Sequence, residues 1–336
     1  MAEMTHWERM RAALKGDEVD RVPICLWRHW PLEDHNPRTL AEAMVRWQKE
    51  YDCDLVKHAP AGSYPVEDWG GETLYIPERD LGLGVRTFVR RAITGADQWP
   101  NLERLDVTRG HLGEQLAAVR LVAQELNNSV PILQTIFNPL NIAQKLAGVA
   151  AYEHMRHEPA AFKQGLEILA ETTARFAIQS IKAGAHGLLL VVPCDGQTFS
   201  EAEYREFGEP FDRMILDAVR PESEITVIFA SGKQILCDLI ATYPADAIKW
   251  PDRAAGPSLR EVQARFSGLT MGGIDERRTL FNGPPAAIQA EIREAIAQTN
   301  GRRHVVSVGD APFISTPAEH FHAARQAVEK RKEDEQ

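Results

Sequence analysis

Cysteine is scarce in this chain and never clustered. Cys25, Cys53, Cys194 and Cys237 form no C-x-x-C pair, which argues against a disulfide framework or zinc finger and suits a reducing cytoplasm. Basic charge is also short: 38 Lys and Arg against 48 Asp and Glu give a formal net charge of −10. Without a basic face, a broad nucleic-acid footprint is not expected. No apolar run comes near the ~20 residues that span a bilayer. The opening Met1-Ala2-Glu3-Met4-Thr5-His6-Trp7 lacks the basic and apolar regions of a signal peptide. GxSxG, Walker and HRD-type sequences are missing, which removes serine-hydrolase, nucleotide-hydrolase and kinase readings. So is a GxGxxG opening a helix after the first strand, and so is an HxH at that strand, where metal-dependent barrel hydrolases place ligands. No metal and no cofactor are expected.

What is present is alternation. Short β-branched runs at Val22–Leu26, Asp54–Lys57, Val130–Gln134, Gly187–Val192, Ile225–Phe229, Ala245–Lys249, Leu269–Gly273 and His304–Val308 are separated by amphipathic stretches. Nearly continuous apolar runs suit strands covered on both faces. Eight such strands interleaved with helices predict a single (β/α)₈ barrel domain over 1–336, with a doubly wound sheet as the alternative. Residues 59–100 interrupt the pattern with many Gly and Pro, which predicts a long excursion carrying a hairpin at Glu72–Ile76 and Gly84–Val89 and covering the active site. Trp7–Leu14 reads as a short helix ending at Gly16. Ser200 with Glu203, and Thr316-Pro317 with Glu319, read as helix starts. Residues 329–336 read as a charged tail that frays.

Barrel chemistry collects where strands finish. Those positions carry Arg28 and His29, then Lys57 and His58, Phe137 and Asn138, Cys194 and Asp195, Ser231, Trp250 and Asp252, Asp275, and Asp310. The run Val22–Trp30 is the most informative: apolar residues end in Arg28 and His29 between the indoles of Trp27 and Trp30. A cation between aromatic walls is costly to desolvate unless an anion meets it, so Arg28 is a candidate carboxylate holder. The structural alternative is an ion pair with tryptophans in the core. Lys57 and Lys249 are candidates for a Schiff-base amine, or for inward lysines paired with an Asp. Gly272-Gly273 reads as a tight turn before an anion cradle. The helically spaced His154 and His157, and His320 and Arg325, read as solvated faces.

The order of segments resembles the uroporphyrinogen decarboxylase superfamily. Arg21-Val22-Pro23-Ile24-Cys25-Leu26-Trp27-Arg28 resembles its RPPVWxMR stretch. Gly184–Gly187 through Phe199–Tyr204 resembles its GAD…DSWAG…LSPEDF segment, and Gly273-Ile274-Asp275 its GNLDP turn. Val308–Pro312 with Thr316–Glu319 resembles the closing GHGI…TPPEN. The resemblance implies a (β/α)₈ barrel, commonly a homodimer, that binds an acidic tetrapyrrole at the strand ends and decarboxylates it without a cofactor. Several family positions differ. The neighbour four residues after Arg28 is Leu32, and the catalytic aspartate aligns near Pro60-Ala61. Gln144 and Lys145 stand where a tyrosine falls, and the late histidine is Asp310. Glu67 or Asp68 is a candidate replacement carboxylate, or a loop anchor. In the sister branch, which moves methyl groups between a corrinoid and a thiol, a His-x-Cys pair and a late cysteine hold zinc. Here those positions are Phe229, Ser231 and Asp310.

The expectation is therefore cofactor-free decarboxylation of an anionic small molecule, with a tetrapyrrole as one candidate. Arg28 holds a carboxylate. Asp195, Asp310 or Asp68 supplies charge or a proton, with His29 and His58 as further acid–base groups. Trp27, Trp30 and Trp250 stack on the substrate, and Lys57, Asn138, Ser231 and Asp275 complete the binding set. The alternatives are a methyltransferase working with a corrinoid protein, and a silent tetrapyrrole or corrinoid binder.

Overall fold

The computed structural model describes residues 2–329. The charged tail expected at 329–336 lies, apart from Glu329, outside the described residues. Eight parallel strands form one sheet: β1 (Ile24–Cys25), β2 (Val56–His58), β5 (Ile132–Phe137), β6 (Gly187–Val192), β7 (Ile225–Ala230), β8 (Ala247–Lys249), β9 (Leu269–Ile274) and β10 (His304–Val308). Their order, β1-β10-β9-β8-β7-β6-β5-β2, curls into a nearly closed barrel with helices between strands. All eight expected strands are present. β1 is shorter than Val22–Leu26, because only Ile24 and Cys25 pair with β10. β2 and β5 begin later and run further than expected. β3 (Glu72–Leu74) and β4 (Thr87–Arg90) pair antiparallel as the excursion's hairpin.

Strand alternation divides the core. Cys25, Leu55, Leu133, Val227, Phe229, Met271 and Val305 fill the barrel. Their neighbours Ile24, Ile132, Leu188 and Ile228 face the surrounding helices. The helix His6–Lys15, opened by a Thr5–Glu8 capping box and closed by Gly16 at φ +78°, packs Met10 and Ala13 against the interior set. It stops the end of the barrel where the strands begin. β1 and β2 share no ladder, and Asp54 bridges them. Its amide donates to Ile24 O at 2.8 Å, and its carboxylate accepts Ile24 N at 2.9 Å.

The excursion lies on the other end. Ile314 N donates to Gly82 O at 2.7 Å. Gly84, at φ +71°, sits so close that a Cβ there would stand 2.9 Å from His29 Cβ and 2.8 Å from Ile314 Cγ2, so only glycine fits. Of the expected helix starts, Ser200 forms a full capping box with Glu203. Thr316 does not cap: Pro317 takes the N-cap position and the Thr316 hydroxyl has no partner. Of the histidines read as solvated, His157 is exposed, but His154 and His320 are placed differently. His154 Nδ1 accepts the Trp99 indole N–H at 3.1 Å, and His320 is buried against Leu280 O at 2.7 Å.

Candidate functional site

Counting alternate residues to the ends of the strands leads to two ammonium groups, Lys57 and Lys249, and the helix after β5 adds a third, Lys145; each lies on an aromatic ring. Lys57, on β2, places Nζ 3.6 Å from the centre of the Trp27 ring. Lys249, the last residue of β8, places Nζ 3.9 Å from the Phe229 ring and 6.0 Å from Trp27. Lys145, on the helix Pro139–Ala147 that follows β5, lies 4.6 Å from the Phe137 ring. Among the described residues none of the three has a carboxylate within salt-bridge distance. Lys249 donates one hydrogen bond, to Gly309 O at 2.5 Å. The ring faces do the work of counter-ions, each contributing about 1–2 kcal/mol where water is excluded.

Burial and mutual repulsion push the lysines toward the free amine. Burial, then the neighbouring Lys249, brings Lys57 down to about 7. Burial brings Lys249 to about 8, against the pull of Asp310 and Glu276. Lys145 is half-buried; desolvation, then the nearby Arg91, brings it down to about 8. His29 stands edge-on to Trp27 at 5.3 Å. Burial, with Lys57 and Lys145, holds it neutral, at about 3. Cys25 lies deeper, its thiol pushed up to about 11 by burial. The Trp27 indole N–H is buried with no acceptor among the described residues. Glu276 is buried, its carboxylate accepting the Asp310 amide at 3.0 Å, and burial raises its pKa. Asp310 is half-exposed and 3.5 Å from Arg277. The rim therefore has a cationic, aromatic side and a carboxylate edge.

Of the residues expected at the site, Trp27, His29, Lys57 and Asp310 gather here. Ser231 stands at the end of β7, donating to Val192 O at 3.2 Å. The rest lie elsewhere. Arg28 is on the outward side with Ile24 and Leu26. It lies 5.8 Å over the Trp47 ring and donates to Ile314 O at 2.8 Å. It has neither the ion pair nor the interior position considered for it, and braces the loop that holds the excursion. Arg28→Ala is accordingly expected to cost about 1 kcal/mol and speed proteolysis within 77–86, leaving polycarboxylate affinity within about twofold; limited proteolysis beside a binding titration checks this. Trp30 packs on Trp47 in the outer core. Trp250 is buried behind β8, its indole N–H bound to Pro257 O, so neither ring reaches a ligand at the mouth.

Asp68 accepts the amides of His111 and Leu112 at 2.8 and 2.9 Å and anchors the helix Gly110–Leu126. Glu67 is likewise tied down. Burial opposes ionisation, but hydrogen bonds from His35, Ser63 and Thr73 hold it at about 2. Asp195 accepts amides of Gln197, Lys233 and Gln234 and braces two loops. Asp275 accepts the amides of Arg277 and Arg278 and pairs with the Arg278 side chain. Asn138 caps Asn141 and donates to Asp212 inside a network with Tyr204 and Tyr243. His58 points outward. Both ring nitrogens are buried without partners, and burial holds the ring near 3, neutral. Lys145, Phe137, Phe229 and Glu276 were not expected in the binding set. The parity of the strands locates Phe137 and Phe229, but nothing local in the sequence places Lys145 over Phe137.

The thiol-activating zinc of the sister branch does not fit these residues. Phe229 offers no donor atom, and its ring carries the Lys249 ammonium. A divalent ion there would be repelled.

The uroporphyrinogen decarboxylase (URO-D) family description matches residues 5–331. A methylcobamide:CoM methyltransferase of Methanosarcina mazei is 20% identical over 95% of this chain and 96% of its own. A uroporphyrinogen decarboxylase of Chromohalobacter salexigens is 25% identical over 96% of each. A methyltransferase structure from Methanosarcina mazei superposes with a TM-score of 0.84 at 20% identity, covering 97% of this chain and 98% of that one; this likeness is of fold. Relatives with two different activities share the barrel, and a match running from the N-terminal helix past β10 makes this chain a member of the uroporphyrinogen decarboxylase family.

Proposed function

We propose that the chain is an enzyme that removes CO₂ from an anionic small molecule, without a cofactor, at the lysine-lined mouth of its barrel. The observation that carries this reading is the set of three ammonium groups on Trp27, Phe137 and Phe229, none of which has a carboxylate within salt-bridge distance among the described residues. A buried cation without a partner is an energetic cost that an anionic ligand relieves. Lys249 and Lys145 draw a substrate carboxylate into a throat of ring faces, where loss of its charge as CO₂ is favoured. Asp310 and Glu276, beside Lys249 on the same rim, handle the proton that replaces it. An acidic tetrapyrrole is one member of this substrate class.

The second reading, methyl transfer with a corrinoid partner, has in its favour the methyltransferase relatives. Among the described residues the rim brings together no set of three His, Cys, Asp or Glu side chains that could hold a thiol-bound zinc. Release of CO₂ from a panel of carboxylates, uroporphyrinogen included, tests the proposal, beside absorbance titrations with tetrapyrrole and cobalamin. The expected result is CO₂ release, with binding at least tenfold weaker in Lys249→Met. Methylation of the corrinoid, or tetrapyrrole binding without turnover, would count against it.

A further inference from the structure

We infer that Lys57 is a nucleophile that forms an imine with the ketone of a 3-oxo carboxylate, so that the protein itself supplies the electron sink for decarboxylation. This rests on the decarboxylase reading and names its substrate class. Losing CO₂ leaves an electron pair that needs somewhere to go. The carboxylate that the family resemblance assigned beside a pyrrole nitrogen falls at Pro60-Ala61 here, and Asp68 and Glu67 are tied into loop anchors. What stands at the end of β2 instead is a primary amine. Lys57 is 5% exposed, lies flat on Trp27, and makes no hydrogen bond or ion pair among the described residues.

The groups facing it are Lys249 from β8, Cys25 from β1, His29 from just beyond β1, and Asp310 from beyond β10. A second ammonium beside a desolvated lysine favours the free amine, the form that attacks a carbonyl. Lys249 thus acts as a positioning residue.

The chemistry balances with water and one proton. The neutral Lys57 amine adds to the ketone carbon; a C–N bond forms, and after proton transfer water leaves, giving a protonated imine. The bond to the carboxylate breaks, its electron pair moves into the iminium to give an enamine, and CO₂ departs. The enamine carbon takes a proton, for which Glu276 and Asp310 are the nearby acids. Water then hydrolyses the imine, releasing ketone and restoring the Lys57 amine. The sum is 3-oxo carboxylate plus a proton giving ketone plus CO₂.

The test uses the full chain with acetoacetate and sodium borohydride, followed by intact mass and peptide mapping. At pH 7, Lys57 should take a single reduced adduct, an isopropyl group where CO₂ has left and a carboxyalkyl group where it has not. Lys57→Arg, which keeps the charge but forms no imine, should take none there. In Lys249→Met the acid limb of Lys57 labelling should move up by about one pH unit. Labelling of Lys57 no faster than that of exposed lysines such as Lys182 would overturn the inference; that comparison needs only the unaltered protein. CO₂ release that survives Lys57→Arg and borohydride would sink the imine and leave decarboxylation standing. An adduct on Lys57 with no CO₂ from any carboxylate would sink decarboxylation and leave the imine.

Discussion

Lys57→Met is expected to abolish turnover, by about three orders of magnitude or more, while raising the melting temperature. Methionine matches the length of the lysine stem and its sulfur packs well on an indole, so the Trp27 contact is retained. Removed is a cation that the fold buries without a carboxylate partner. At neutral pH this should stabilise the fold by about 1–3 kcal/mol. The pH dependence has a definite sign. Burial and Lys249 lower the folded pKa of Lys57 from 10.5 to about 7, so the folded state binds fewer protons than the unfolded chain between these values. The lysine's penalty is full below pH 7 and fades as pH rises toward 10.5. Calorimetry at pH 6.5 and pH 10 should show the advantage of Lys57→Met shrinking. A fall in melting temperature at pH 6.5 would mark Lys57 as a structural cation.

Asp54→Asn should destabilise the barrel by about 3–5 kcal/mol, the cost of breaking a buried ion pair from one side. Asp54 is fully buried. Its carboxylate takes Arg21 Nη1 at 2.5 Å, Arg9 Nη1 at 2.6 Å and His6 Nδ1 at 2.9 Å, and accepts Ile24 N across the seam between β1 and β2. Asparagine keeps the shape but leaves two buried guanidinium groups under-paired, Arg9 keeping Asp20 and the Met4 carbonyl and Arg21 keeping Glu329 at 3.6 Å. Burial opposes the charge, yet His6, Arg21 and Arg9 hold the folded pKa at about 2 against an ordinary 3.8. A lowered acid pKa contributes stability that is complete above pH 3.8 and is lost as pH falls toward 2, about 2 kcal/mol in all. Urea unfolding at pH 7 and pH 2.5 should show the wild type losing this increment and Asp54→Asn lacking it.

The architecture was legible because parallel strands covered on both faces leave unbroken apolar runs, and eight of them announce themselves. Strand ends were less so. The position of His58 relative to Lys57 depends on which residue of β2 points inward, and a one-residue difference moves a side chain from the throat to the helical layer. Reading the strand ends as a ring without assigning parity therefore mixed inward Lys57 and Trp27 with outward Arg28, His58 and Trp250. The acids misled for another reason. Asp68, Asp195 and Asp275 stand in glycine-rich or polar turns, where a carboxylate that caps backbone amides has the same local sequence as one that does chemistry. Lys145 could not be found from its neighbours: its ring partner Phe137 is close in sequence, but its approach to the rim depends on the pitch of the following helix.

Because Met10 and Ala13 close the far end and Leu55, Leu133, Val227 and Met271 fill the interior, no passage runs through the barrel. Whatever reaches the lysines comes in head first and backs out the same way. A broad, many-armed molecule can bring only one arm at a time to the ammonium groups on Trp27 and Phe229, so recognition there is expected to read the end of a ligand rather than its whole outline.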